Sequence, residues 1–200
     1  MRVIAGRFKG RRLKPVKSAN VRSTADRVRE SLFNILAAEV PDAVALDLFC
    51  GAGCLGIEAL SRGAEHVTFV DRSRQSVECT RQNLETVDAV QDSAVHSGQA
   101  LTVLRSLAAQ GERFSLIFAD PPYEEGWSVK LLNAIAASDA LAPEGILVIE
   151  HHKKEPPGPS PAGFSVWTER RFGDTMFTIW RWNRTVSDDV ASAVRERGEE

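Results

Sequence analysis

The chain has 200 residues, of which 43% are hydrophobic and 26% charged, with a formal net charge of −2. That composition suits one globular unit with a real core, and it excludes collagenous, mucin-like and wholly disordered chains. No apolar run approaches the ~18 residues a membrane span needs, and MRVIAGRFKGRRLK lacks the apolar stretch of a secretory signal, so a cytoplasmic protein is expected. Cys50, Cys54 and Cys79 contain no C-x-x-C pair, which points to reduced thiols rather than a disulfide framework or a zinc site. The charge is unevenly spread. Residues 1–38 hold ten Lys or Arg against Asp26 and Glu30, a balance of +8, leaving −10 for the remainder. A basic arm on an acidic body is the pattern of a polyanion-binding protein, because such side chains displace counterions from phosphates.

Taken in chain order, Val3–Gly6 and Gly10–Leu13 read as two short strands around a Gly-Arg turn, closed by Pro15. Ser23 and Asp26 have capping-box spacing, and Val28, Leu32, Ile35 and Leu36 share one helical face before Pro41 stops the helix. Strands and helices then alternate. Strands are expected at 43–49, 67–70, 93–96, 114–119 and 146–150, and helices at 55–61, 73–87, 99–109 and 129–137. This rhythm implies βαβ units and a mostly parallel sheet covered on both faces. After the proline-rich loop 155–163, segments 164–172 and 176–182 form a hairpin signature around Gly173-Asp174. The polar residues from Asn183 onward read as a frayed tail. The organisation expected is therefore a basic extension suited to a polyanion (1–40), an α/β domain of Rossmann-like type (41–182) and a tail (183–200).

In such sheets ligands bind beyond the carboxyl ends of the strands, and three strands end in chemically suggestive residues. Asp47-Leu48-Phe49-Cys50-Gly51-Ala52-Gly53-Cys54-Leu55-Gly56 contains a literal G-x-G-x-x-G between a strand and a helix. Its glycines allow a sharp turn, and the helix N-terminus offers N–H groups to an anion. The second strand ends at Asp71, where an acid can accept from ribose hydroxyls. Asp47 would crowd a pyrophosphate but suits the ammonium group of S-adenosylmethionine, whose carboxylate fits the helix N-terminus. The third strand ends in Asp120-Pro121-Pro122-Tyr123. A carboxylate, a rigid carbonyl at Pro121 and an aromatic ring match a planar group bearing an exocyclic amine. Holding both amine hydrogens gathers the delocalised lone pair onto nitrogen for attack on a methyl carbon, with positioning as a main source of rate. His66, His151 and His152 read as surface or strand-end residues, since no third ligand falls at metal spacing, and Trp167, Trp180 and Trp182 as packing residues.

With Val3-Ile4-Ala5-Gly6, Asp26–Leu36 (DRVRESLFNIL), Asp47–Gly53, Glu58–Ala64 (EALSRGA), Asp120–Tyr123 and Phe172–Thr175, the chain resembles the RsmD family. These are bacterial methyltransferases acting on a guanine N2 amine of 16S ribosomal RNA, and the likeness runs from about Arg2 to Trp182. The resemblance implies a class I methyltransferase fold, a mostly parallel sheet with a C-terminal antiparallel hairpin and a small N-terminal hairpin-and-helix extension. It further implies S-adenosylmethionine as cofactor and 16S rRNA as partner, within small-subunit particles and without a metal, the protein acting as a monomer. Cofactor contacts are implied for Asp47, Phe49, Gly51, Gly53, Asp71, Arg72, Gln99 and Ala100, with Gln99 on the adenine side. The amine site would comprise Asp120, Pro121, Pro122 and Tyr123. RNA phosphates would meet Arg7, Lys9, Arg11, Arg12, Arg22 and Arg27. The chain departs from the family pattern at Arg22-Ser23-Thr24, where Arg-Pro-Thr is usual. Four other readings stay open: a DNA amino-methyltransferase, a protein-glutamine methyltransferase, an NAD-dependent oxidoreductase and a non-catalytic RNA-binding module.

Overall fold

The computed structural model describes residues 1–16, 26–122 and 126–183. Arg22, the Ser23 cap, Tyr123 and the tail beyond 183 lie outside the described residues. The elements run α1 (Asp26–Ile35), β1 (Val44–Leu48), α2 (Cys54–Ser61), β2 (His66–Asp71), α3 (Arg74–Val87), β3 (Ser93–Ser97), α4 (Ala100–Ala109), β4 (Phe114–Ala119), α5 (Trp127–Ala136), β5 (Leu141–His152), β6 (Phe164–Phe172) and β7 (Thr175–Trp182). One sheet has the order β3-β2-β1-β4-β5-β7-β6. Neighbours from β3 to β5 pair in parallel, whereas β7 is antiparallel to both β5 and β6. The chain walks outward from β1 to β3 and then returns to β4, so the switch point lies between β1 and β4.

Alternation along each central strand supplies two cores. Ala45, Val67, Phe69, Leu116 and Phe118 face α1 and α2, meeting Leu32, Phe33, Leu36, Ile57 and Leu60. Leu46, Leu48, Val70 and Ile117 face the other way, toward Leu104, Leu107, Leu131 and Leu132 of α4 and α5. A sheet buried on both faces requires such continuous apolar strands. The hairpin places its second strand inside. β7 is buried along most of its length while β6 is mostly exposed, so the apolar MFTIWRW side pairs with β5 and the charged TERRF segment forms the edge.

Several expectations need correction. The N-terminal strand pair reduces to one antiparallel bridge, Arg2 with Arg12, because the next amides turn to α2 instead. Ile4 and Ala5 donate to the Glu58 carboxylate (2.8 and 3.1 Å) and Phe8 donates to Ser61 Oγ (2.9 Å). β5 is longer than expected, starting at Leu141 and pairing irregularly with β4 around Ser115. His151 is buried rather than superficial, with Nε2 2.9 Å from Thr178 Oγ1. Trp180 and Trp182 pack in the core, but Trp167 is exposed on β6, with the Arg181 guanidinium 5.0 Å from its ring centroid.

Candidate active site

β1 ends in a loop whose backbone is unusual. Phe49, Gly51 and Gly53 have φ of 62°, 57° and 79°. Glycine tolerates this region readily, whereas a bulky residue such as Phe49 enters it only when its surroundings over-determine it. Those surroundings are visible. Cys50 N donates to Val70 O at 3.0 Å, Gly51 N to Asp71 Oδ2 at 3.0 Å, and Thr80 Oγ1 to Gly51 O at 3.0 Å. Asn83 Nδ2 donates to Ala52 O at 2.9 Å. The Phe49 ring meets Trp127 edge-on, centroids 5.2 Å apart. Gly56 serves close packing, since a Cβ there would lie 2.2 Å from a Phe69 ring carbon.

Two acids brace this loop from different sides. Asp47 is buried and its Oδ2 accepts the Gly56 N–H at 2.9 Å. Burial lifts its carboxyl to about 7, the Gly56 hydrogen bond opposes that rise, and the nearby Asp71 charge adds to it. Asp71 is half-buried at the end of β2; Oδ1 accepts Ser73 N at 2.8 Å while Oδ2 holds Gly51. Each of its oxygens keeps a second lone pair for a ligand hydroxyl. Gly98 N donates to Asp71 O at 3.0 Å, which sets exposed Gln99 and buried Ala100 beside the same strand end. Arg72 is exposed next to Asp71. Burial pushes the Cys50 thiol well up and the Cys54 thiol to about 11, so neither is a thiolate nucleophile near neutral pH.

Across the switch point, β4 delivers Asp120 beside the end of β1: Leu48 pairs with Ala119, and Asp120 N donates to Leu48 O at 3.4 Å. Asp120 is half-buried, Pro121 buried and Pro122 exposed. The two prolines open onto a cleft of about 240 Å³ walled by Trp127 at the start of α5 and by Glu150 and His151 at the end of β5. Sequence reasoning passed over Trp127 and Glu150. The signal was present for Glu150, a fourth acid at the carboxyl end of a parallel strand.

The basic arm divides into anchors and free surface. Arg7 pairs with Asp92 (2.6 Å), and Arg11 donates to Thr86 O (2.8 Å), which fastens the arm to the far end of α3 and the loop beyond it. Arg29, counted in the arm's charge, is fully buried between Asp26 and Glu58. Lys9, Arg12 and Arg27 are exposed. Among the described residues no helix is long and apolar enough to cross a membrane, and no three His, Cys, Asp or Glu side chains gather as a metal site.

The family model described as conserved hypothetical protein 95 matches residues 1–181. The chain belongs to this family. The resemblance to RsmD read from the sequence is thereby borne out. Escherichia coli ribosomal RNA small subunit methyltransferase D is 33% identical over 90% of this chain and 89% of its own length. Bacillus subtilis YlbH is 39% identical over 90% of this chain and 98% of its own length. The solved structure of Escherichia coli yhhF superposes with a TM-score of 0.81 at 32% identity, covering 92% of this chain and 99% of that one. The family fold is thus the Rossmann-like sheet of S-adenosylmethionine-dependent methyltransferases, with β7 reversed.

Proposed function

We propose that the protein transfers a methyl group from S-adenosylmethionine to the exocyclic N2 amine of a guanine in 16S rRNA. One observation carries the reading: the Asp47–Gly56 loop with its Asp71 brace, and the Asp120-Pro121-Pro122 turn, end adjacent strands on either side of the switch point. The rRNA methyltransferase named among its relatives supports the substrate class. The reversed β7 departs from the six parallel strands of a dinucleotide-binding sheet, which disfavours the NAD reading.

The residues present fit the cofactor. S-adenosylmethionine supplies an electrophilic methyl group when bound. Gly51 and Gly53, their own N–H groups held by Asp71 and Cys50, turn the loop so that the cofactor can approach it closely, and the N-terminus of α2 offers backbone N–H groups to its carboxylate. Asp47, held beneath the loop, supplies negative potential for its ammonium, directly or through water, while Phe49 walls the loop. Asp71 takes ribose hydroxyls, with Arg72 alongside, and Gln99 and Ala100 border the adenine. On the acceptor side, Asp120 and the Pro121 carbonyl accept the two amine hydrogens and aim the nitrogen lone pair; Asp120 then takes the proton released as the new N–C bond forms. Pro122 stiffens the turn, and Tyr123, outside the described residues, is assigned to stacking. Lys9, Arg12 and Arg27, with Arg22, orient the RNA through phosphates, on an arm that Arg7 and Arg11 fasten to the body, leaving these two to add positive potential beside the phosphates. The test is transfer of labelled methyl to small ribosomal subunits lacking base methylation, followed by nucleoside analysis. N2-methylguanosine is the expected product, and label in another nucleoside or none in RNA refutes the assignment.

A further inference from the structure

α3 carries a residue that its helix does not call for. Asn83 lies in the helix interior and is fully buried, where asparagine is a poor helix former and its amide must find partners. Those partners lie on two other segments. Oδ1 accepts Lys14 N at 2.8 Å, while Nδ2 donates to Lys14 O at 3.0 Å and to Ala52 O at 2.9 Å. The amide thus pairs both backbone groups of one residue in the basic arm and gives its second hydrogen to the cofactor loop. Packing follows the same line. Val16 is buried with Ala52 and Cys79, Cys79 Sγ donates to Lys14 O at 3.3 Å, and Cys54 Sγ donates to Met1 Sδ at 3.4 Å. Thr80, three residues earlier on α3, braces the loop differently: among the described residues its hydroxyl reaches only Gly51 O and Cys50 Sγ.

A side-chain amide is one rigid plane. Turned over, that of Asn83 would set its NH2 against the Lys14 N–H and its oxygen against two carbonyls, so the orientation that suits Ala52 is the one Lys14 requires. We infer that Asn83 is a positioning residue that joins the cofactor loop to the basic arm, so that occupancy of the loop and docking of the arm stabilise each other. A ligand that fixes the loop peptide at Ala52 fixes the amide, and the amide fixes Lys14, two residues beyond exposed Arg12; the reverse holds by linkage. Asn83 meets no reacting atom, so it acts on affinity and not on the chemical step. The inference goes beyond the methyl-acceptor assignment and requires only that the loop binds S-adenosylmethionine.

The full-length protein tests it with S-adenosylhomocysteine, the demethylated cofactor, by calorimetry and amide hydrogen exchange. In the wild type this ligand should slow exchange at Lys14 N by about 5-fold or more. Asn83→Ala leaves Ala52 O without its donor, so it should raise the ligand Kd on the order of 10-fold and abolish the slowing. Asn83→Asp keeps the size and the acceptor for Lys14 N but turns an oxygen toward both carbonyls. Its loss of ligand affinity should therefore equal or exceed that of Asn83→Ala, whereas a packing role predicts the opposite order. Thr80→Val should weaken the ligand yet leave Lys14 exchange in the unliganded protein as in the wild type. In turnover, Asn83→Ala should raise KM for S-adenosylmethionine with kcat within about 3-fold of wild type, while mere loss of folded protein lowers kcat and leaves KM unchanged. Unslowed exchange at Lys14 in the liganded wild type, an unchanged ligand Kd in both Asn83 variants, or a fall in kcat alone overturns the inference. The methyl-acceptor assignment fails separately, in the nucleoside analysis, on which calorimetry and exchange do not depend.

Discussion

Replacing Glu58 by alanine removes the hub that joins the N-terminal segment to the sheet domain. Its carboxylate is fully buried. Oε2 accepts Ile4 N at 2.8 Å and lies 3.7 Å from Arg29 Nε, while Oε1 accepts Ala5 N at 3.1 Å and Arg62 Nε at 2.8 Å. Arg29 is equally buried, and its Nε and Nη1 make no hydrogen bond, so Glu58 supplies most of the compensation for that charge. Asp26, the other acid near Arg29, has a side chain 43% exposed and screens poorly. Breaking a buried pair by deleting one partner costs about 3–5 kcal/mol. Two orphaned backbone N–H groups would add about 1–3 kcal/mol each if they stayed buried. Undocking of residues 1–16 caps that sum, so a loss near 3–5 kcal/mol is expected. For a chain of this size each kcal/mol moves Tm by about 2–4 °C, which puts the fall at roughly 10 °C. Urea and thermal unfolding measure it, and hydrogen exchange at Ile4 and Ala5 locates it. A companion variant, Arg29→Met with Glu58→Leu, should recover only the part of the loss due to the uncompensated Arg29 charge, since Ile4 and Ala5 N–H still lack their acceptor. A Glu58→Ala loss below about 1 kcal/mol with slow exchange at Ile4 and Ala5 would refute the hub.

Further outcomes follow from the site. Asp120→Ala should abolish methyl transfer while leaving cofactor affinity within about 3-fold by calorimetry, since it removes one hydrogen-bond acceptor for the amine and none for the cofactor; parallel loss of both would contradict that division. Asp47 tests the electrostatics: its folded carboxyl sits near 7 against 3.8 for a free one, so the folded state holds that proton more tightly. Stability from this group is therefore greatest at low pH and declines as pH rises from about 4 to about 7. Asp47→Asn should gain Tm relative to wild type across that window and level off above it, whereas a pH-independent difference would disprove the shift. Removing exposed Lys9 and Arg12 together should reduce the salt slope of RNA binding by about 0.7–0.9 per lost phosphate contact. An unchanged slope would remove the arm from the RNA interface.

Much of the fold was legible because it is written locally. VALDL, HVTFVD and FSLIFA are apolar enough to be buried on both faces, and Ser73 caps α3 through Ser76 N as its position suggests. The glycine loop and the acids Asp47, Asp71 and Asp120 could be marked as site residues because the end of a parallel strand is a place that chain order defines. His151 and Trp167 were misjudged for the opposite reason. Their burial depends on the partner across the sheet: β7 covers His151, whereas edge-strand Trp167 meets the Arg181 guanidinium and stays exposed.

By itself, then, the sequence determined the alternating elements, the strand-end chemistry and the family, all carried by residues close together in the chain. The tertiary structure decided which strand of the final hairpin lies inside and brought Glu150 beside Asp120 and Trp127 beside Phe49. It also gave the DRVRE and EALSRGA segments their purpose, because Arg29, Glu58 and Ser61, far from the first eight residues in sequence, meet them in the folded chain. Periodicity constrains a residue's face but not its distant neighbour, and buried charges and cleft walls are settled by those neighbours.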